Sequence, residues 1–189
     1  MVDLGAPFSG ASDINNRGQI VGHVVDQAVM WTDVGVWQEL GILGQSPLGS
    51  MSSHASAIND RSWIVGYSTA PAGGAFLWTP QTGMRNLGFL DFGLDFHESF
   101  ASDINKHGTV IGVSVGYYFF DGDYEMVRPR AFVWTPRTGM LALDDLVPAG
   151  WLVDNVIAIN DHDEILASAT HPDVGSHTVV LEPVNGRLK

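Results

Sequence analysis

The stretch ASDINNRGQIVG at residues 11–22 recurs three more times along the chain and decides the fold. The other copies are ASAINDRSWIVG at 55–66, ASDINKHGTVIG at 101–112 and VIAINDHDEILA at 156–167. In each copy a short apolar run leads through an Asn-containing turn into a second apolar run. Because Asn bonds to the local backbone and Gly accepts positive φ, the pattern predicts two short antiparallel strands joined by a hairpin.

Each copy is followed by two further strand signals. An apolar run occurs as AVMWT at 28–32, AFLWT at 75–79 and AFVWT at 131–135, with the weaker form TVVLE at 178–182. A turn glycine then leads into a last short strand, as in GMRNLG at 83–88. Each repeat therefore predicts four antiparallel strands, a to d in chain order, with the repeated Trp residues in the core.

The fourth repeat has no last strand of its own, whereas MVDLG at 1–5 matches MRNLG at 84–88. An N-terminal strand that completes the last sheet closes a ring and leaves no open sheet edge. The sequence therefore predicts one all-β domain over residues 1–189. This domain is a four-bladed β-propeller of four-stranded antiparallel blades, with repeats starting near residues 11, 55, 101 and 156. The alternative is a segment of a longer array with further blades.

Composition excludes several classes of function. The chain has 189 residues, of which 45% are hydrophobic and 16% charged, and this excludes disorder. A formal net charge of −12 at pH 7 argues against a nucleic-acid partner. No apolar run is long enough for a membrane-spanning helix. The absence of cysteine excludes thiol catalysis and cysteine-ligated metals.

The segments SDINNRGQIVG, AFLWT and MRNLG resemble the HAF repeats, a family of bacterial repeats. The resemblance covers nearly the whole chain and implies a propeller-like β-structure and an extracellular location, although the N-terminus shows no signal-peptide pattern. The His-Ala-Phe triplet of the family is altered, because Gln27, Gly74 and Arg130 replace His, and the fourth repeat keeps only His177. The resemblance implies no catalytic residues.

In a propeller, the d–a and b–c connections lie at one face, around the mouth of the central channel. These connections are predicted to be long and irregular here, over residues 41–54, 88–100, 143–155, 23–27, 67–74, 113–130 and 169–177. Loops on a rigid scaffold favour function. His54 or His97 is therefore a candidate general base, with Glu98 as its orienting carboxylate. The alternative is that these are solvated loop residues.

Two acidic residues suggest a metal site. Asp13 and Asp103 occupy the same position of strand a in repeats one and three, where repeats two and four carry Ala57 and Ala158. In a four-bladed ring the two carboxylates would face each other across the channel, and such oxygen ligands suit Ca²⁺. The alternative is that each carboxylate binds turn amides beside its own blade.

The insertion at 113–130 is the most aromatic of the predicted loops. Its side chains Tyr117, Tyr118, Phe119 and Tyr124 are candidates for a wall that binds an apolar ligand. The alternative is a surface for self-association.

Together these features favour a Ca²⁺-dependent hydrolase of small lactones or esters at the mouth of the channel. Asp13 and Asp103 would hold the ion, which polarises a carbonyl and positions water. His54 or His97 would act as the base, and the aromatic insertion would receive an acyl chain. The alternative is a non-enzymatic, extracellular module that binds a ligand, a glycan or a protein.

Overall fold

The computed structural model describes residues 1, 3–5, 9–44, 51–69, 73–94 and 96–183. Apart from one 3-10 turn at Leu143–Asp145, every regular element of these residues is a β-strand. The strands form four antiparallel sheets, so the all-β class predicted from the sequence is confirmed. The chain divides into two compact units, unit 1 (Met1–Leu87) and unit 2 (Gly88–Lys189).

Unit 1 contains two four-stranded sheets, each with its strands in chain order. Sheet 1 consists of β1 Ser9–Ile14, β2 Ile20–Val24, β3 Gln27–Asp33 and β4 Val36–Gly41. Sheet 2 consists of β5 Ser53–Ile58, β6 Ile64–Ser68, β7 Gly74–Thr79 and β8 Gly83–Asn86. The core of the unit combines residues of both sheets, among them Val21 and Met30 of sheet 1 and Ile64 and Phe76 of sheet 2.

Unit 2 contains a five-stranded and a three-stranded sheet. Sheet 3 consists of β9 Phe96–Ile104, β10 Val110–Phe120, β11 Asp123–Met126, β12 Arg130–Thr135 and β13 Gly139–Ala142. Sheet 4 consists of β14 Leu152–Ile159, β15 Ile165–His171 and β16 Gly175–Leu181. The core again draws on both sheets, with Ile111 and Val133 of sheet 3 and Val153 and Ile165 of sheet 4.

The strand predicted at residues 1–5 to complete sheet 4 is not among the strands of the described residues. Residues 3–5 lie outside any strand. The Leu4 carbonyl accepts a hydrogen bond from the Gly35 N–H, in the β3–β4 turn, at 3.0 Å. Residue 2 and residues 184–189 lie outside the described part of the chain. Ring closure therefore stays a prediction.

Three predicted irregular connections are wrong. Residues 23–27 form a two-residue turn between β2 and β3, because the strands continue to Val24 and restart at Gln27. β15 and β16 likewise leave only a short turn within 169–177, and most of 113–130 is strand. Within other predicted connections, residues 45–50, 70–72 and 95 lie outside the described residues.

The repeated asparagines form the a–b hairpins as predicted. The Oδ1 atom of Asn15 accepts hydrogen bonds from the N–H groups of Arg17 and Gln19, each at 3.0 Å. The side-chain carbonyls of Asn59, Asn105 and Asn160 accept from the backbone two and four residues ahead in the same way. This bonding closes each hairpin locally, as expected of Asn in a turn.

The repeated glycine of strand b is required by close backbone approach. A Cβ atom on Gly22 would lie 1.9 Å from the Gly10 carbonyl oxygen, and one on Gly66 would lie 1.9 Å from the His54 carbonyl oxygen. Strand a carries an irregularity of register beside each contact, at residues 11–13 and 55–57. A side chain at either glycine would force this bulge away from strand b.

A carboxylate joins the two sheets of each unit. Asp13 in β1 accepts a hydrogen bond from the N–H of Ile14 at 2.8 Å through Oδ1, and from the N–H of Ile58 in sheet 2 at 2.9 Å through Oδ2. Asp103 repeats this arrangement in unit 2, where its Oδ2 accepts from the N–H of Ile159 in sheet 4 at 2.8 Å. Each carboxylate therefore holds its own strand and the neighbouring sheet together.

Equivalent neighbouring positions extend this join in both units, across sequence separations of 44 residues in unit 1 and 55 in unit 2. The further pairs are Asn15 Nδ2 to the Asn59 carbonyl, Asn105 Nδ2 to the Asn160 carbonyl, Asn16 N–H to the Asp60 carboxylate and Lys106 N–H to the Asp161 carboxylate. We call all these bonds, with those of Asp13 and Asp103, the inter-sheet bridge. Repeats two and four carry Ala at the Asp position, so the alternation of Asp and Ala follows the pairing of sheets into units.

We expect the substitution Asp13→Ala to destabilise unit 1 by about 1–3 kcal/mol, because the N–H of Ile58 loses its charged acceptor. Ile58 is only 6% exposed, so water cannot readily replace the carboxylate. Urea unfolding measures the change, and amide exchange at Ile58 localises it. The control is Asp33→Ala, which removes an exposed carboxylate bonded to the adjacent Val34 N–H. Equal losses of stability in the two variants would contradict the role of the bridge.

Candidate functional site

The longest strand of the chain carries a ribbon of aromatic residues. β10 pairs with β9 as far as Tyr117, which lies opposite Phe96. Beyond that point, among the described strands, β10 pairs only with β11. The connecting residues Asp121 and Gly122 have φ values of 49° and 91°, as in the two-residue hairpin turns that match strand twist. We call residues 117–126 the aromatic ribbon.

One side of this ribbon is apolar. Successive strand residues point to opposite sides, so the pairs Phe119–Tyr124 and Tyr117–Met126 share one side with Phe96. The ring of Tyr124 lies 5.2 Å from that of Phe119 and 4.9 Å from that of Phe96. Phe119 is 63% exposed and Tyr124 52%. We call these five residues the aromatic face.

The opposite side and the turn carry negative charge. Asp123 and Glu125 lie opposite Phe120 and Tyr118 in the ladder, and Asp121 is in the turn. Residues 117–126 contain no Lys or Arg. The ribbon therefore presents the aromatic face on one side, and carboxylates in the turn and on the opposite side, where Tyr118 and Phe120 are also exposed.

Glu98 supports the base of the ribbon. The Tyr117 hydroxyl donates a hydrogen bond to the Glu98 Oε2 atom at 2.7 Å. Burial and this interaction with Glu98 raise the pKa of Tyr117 to about 12. The phenol therefore stays protonated at neutral pH and keeps donating to the carboxylate.

The structure places His97 away from Glu98. The two residues are consecutive in β9 and so point to opposite sides of the strand. The His97 ring stacks on Phe89, with ring centroids 4.5 Å apart, and lies 6.0 Å from the Phe92 ring. Its Nδ1 atom is buried and has no hydrogen-bond partner among the described residues. The geometry therefore does not bring Glu98 to His97 as an orienting carboxylate.

His54 lies in unit 1, between the two sheets. Its ring stacks on Tyr67 at 5.0 Å and lies 4.6 Å from the His23 ring of sheet 1. Burial and the neighbouring His23 lower the pKa of His54, against a smaller opposing effect of Asp26. A neutral imidazole can accept a proton. His54 belongs to unit 1, whereas His97 and Glu98 belong to unit 2.

The carboxylates predicted to hold Ca²⁺ bind backbone amides. Asp13 and Asp103 lie in different units, and both oxygens of each accept N–H groups. The alternative in which each carboxylate binds turn amides beside its own blade is close to this arrangement, in which one amide lies in the same strand and the other in the neighbouring sheet. Among the described residues no three His, Asp or Glu side chains form a metal-binding group. Calcium and hydrolysis stay predictions, which lactone assays with and without a chelator would test.

Sequence reasoning missed two features of these sites. The ribbon contains YYFFDGDYEM, and Asp-Gly between strand-forming residues is a strong hairpin signal, so the hairpin was open to prediction. The contact between His23 and His54 gave no such signal, because the two residues lie in different repeats and meet only when sheets 1 and 2 pack.

Comparison with known proteins gives no family for the chain. No protein-family model, no curated protein and no solved structure matches it. The resemblance to the HAF repeats therefore stays a prediction from the motifs. None of the described segments forms a helix with the length and hydropathy that a membrane crossing needs.

We expect the stability of unit 1 to fall as the pH drops below about 6.5, because His54 binds a proton less readily in the folded than in the unfolded state. The contribution of neutral His54 to the stability of unit 1 is fully present above the pKa that His54 has in the unfolded state. It is lost as the pH falls toward the lowered pKa of His54 in the folded state. Thermal unfolding of the wild type and of His54→Gln between about pH 7.5 and pH 5 measures it, with a smaller pH dependence in the variant.

The matched control is His162→Gln, which changes an exposed histidine in the β14–β15 turn. This variant should keep the wild-type pH dependence. An equal pH dependence in all three proteins would show that His54 does not contribute.

Proposed function

We propose that the chain is a binding module that recognises a polypeptide partner through the aromatic face. The main support is that the rings of Phe96, Phe119 and Tyr124 form one cluster. Each of these residues is about half exposed or more, at 48%, 63% and 52%. Contiguous exposed apolar patches are rare on soluble proteins and mark interaction surfaces. Met126, 56% exposed, extends the patch.

The residue types suit a protein interface. Aromatic residues and Met are enriched in interface cores, where a few of them supply most of the binding energy. Covering one half-exposed aromatic ring removes about 100 Å² from water, which is worth about 2.5 kcal/mol before the cost of association. Three such rings in contact therefore provide enough gross energy for a specific complex.

The charge pattern defines the partner. Asp121 lies in the turn of the ribbon, Asp123 and Glu125 lie on the side opposite the aromatic face, and the chain carries a formal net charge of −12. A partner with apolar residues flanked by Lys or Arg would gain electrostatic steering as well as burial. A second copy of the chain would bring like charges together, so self-association through this surface is disfavoured.

Selection from a random peptide library displayed on phage should enrich peptides that combine apolar residues with Lys or Arg. The double substitution Phe119→Ser and Tyr124→Ser should weaken their binding by about tenfold or more, because it removes the centre of the aromatic face. Fluorescence anisotropy with the synthetic peptides measures the affinities.

The control variant is Val34→Ser, which removes an exposed apolar side chain in the β3–β4 turn. It should bind like the wild type. Selected peptides that bind the ribbon variant unchanged, or that carry acidic residues instead, would refute the proposed surface. Concentration-dependent dimerisation that the ribbon variant abolishes would refute the choice of partner.

We also propose that the four sheets are the blades of one four-bladed β-propeller. Support comes from the fourfold repeat and from the shared order of strands a, b and c in every sheet. A compact arrangement of 189 residues would have a radius of gyration of about 16 Å, against about 19 Å for two separate units side by side. Small-angle scattering distinguishes the two, and the larger value would contradict the ring.

A further inference from the structure

A pocket of about 360 Å³ opens on sheet 1, within unit 1. Trp37 and Glu39 of β4 lie on one side of their strand, because they are two residues apart. Glu39 lies opposite Val29 of β3, which is fully buried. Asp26 and Met51 also line the pocket. The cavity therefore combines accessible apolar side chains, an indole ring and two carboxylates.

Neither carboxylate of the pocket is neutralised by a basic side chain. The ion pairs among the described residues involve neither Asp26 nor Glu39. No Lys, Arg or His lines the pocket. Asp26 interacts with His54, which does not line the pocket: the charge of Asp26 opposes the lowering of the pKa of His54. Two uncompensated carboxylates beside an indole ring create an environment that favours a positive charge.

The turn that positions Asp26 is a two-residue hairpin turn between β2 and β3. Val25 has a φ of 55°, which is the positive value that the first residue of such a turn takes, although it is uncommon for a β-branched residue. The N–H of Ser53 donates to the Asp26 carbonyl at 2.9 Å and fixes the turn from the neighbouring sheet.

We propose that this pocket binds an alkylammonium cation, such as a lysine side chain or a free amine. An alkyl chain matches the accessible apolar side chains of Val24, Val25 and Met51, and the ammonium group is attracted by the indole ring of Trp37 and by the two carboxylates. The volume is close to the lower end of the range for small-ligand pockets. A bare metal ion would gain nothing from the apolar side chains, so the lining favours an organic cation.

This site is independent of the proposed polypeptide-binding function. The pocket lies in unit 1, whereas the aromatic ribbon lies in unit 2. Variants of one site therefore leave the other unchanged, and the failure of either proposal is recognisable by itself.

The test is a titration of the full-length, isotope-labelled protein, followed by the NMR signal of the Trp37 indole N–H. The probes are n-butylammonium, spermidine and a lysine-containing peptide, with n-pentanol as the neutral control. We expect saturable shifts with the three cations and none with the alcohol. A tighter response to spermidine than to the peptide identifies a free amine as the preferred source, and the reverse identifies a protein lysine.

The decisive variant is Glu39→Gln, which keeps the size of an exposed side chain and removes one charge. Cation affinity should fall about tenfold or more, which corresponds to about 1.4 kcal/mol. The matched control Asp33→Asn removes an exposed charge from the same sheet and should retain binding. Equal weakening in both variants would reveal general charge attraction and overturn the proposal, as would equal shifts with the alcohol or no shift with any cation.

Discussion

Unit 1 depends on the two hydrogen bonds that the carboxylate of Asp13 accepts. This carboxylate accepts N–H groups from its own strand and from Ile58 in the next sheet, and Ile58 is nearly buried. A buried N–H without an acceptor loses its hydration with no replacement, at a cost of about 1–3 kcal/mol. The bridge therefore does more than add attraction, because it fixes the distance and register at which two sheets pack. Asp103 imposes the same constraint on unit 2.

The bridge acts together with a bulge that belongs to the repeat itself. The bulge of strand a beside Asp13 brings the Gly10 carbonyl to a point where only glycine fits at residue 22. The same bulge and contact recur between β5 and Gly66, where strand a carries Ala57, so the bulge does not depend on the carboxylate. Repeats two and four need no such carboxylate, because they provide the N–H groups of Ile58 and Ile159, which donate to the carboxylates of repeats one and three. The same geometry bears on the predicted metal site, since both oxygens of each carboxylate are already committed to amides.

The repeats were sufficient to predict the all-β class and the four antiparallel sheets from the sequence. Strand types, the Asn turns and the antiparallel order follow from patterns within about ten residues, where local hydrogen bonding decides the conformation. The partner of Asp13 was beyond such reasoning, because Ile58 lies in another repeat and approaches only after the sheets pack. His97 and Glu98 show a different error. Their adjacency suggested a functional pair, but adjacent residues of a strand face opposite sides.

Both proposed binding surfaces lie where the chain departs from its own repeat. Sheet 3 extends strand b, which is β10, and adds β11 before strand c to form the aromatic ribbon, and sheet 1 tightens the equivalent connection into a two-residue turn at Val25 and Asp26. The repeated residues already form the turns, the cores and the inter-sheet bridge, so few of their side chains are available to contact a ligand. A connection is free of those duties. The positive φ of Val25 follows from the two-residue turn itself, whereas the exposed ring of Phe119 has no such local cause. The proposed binding of a polypeptide would remove that apolar surface from water.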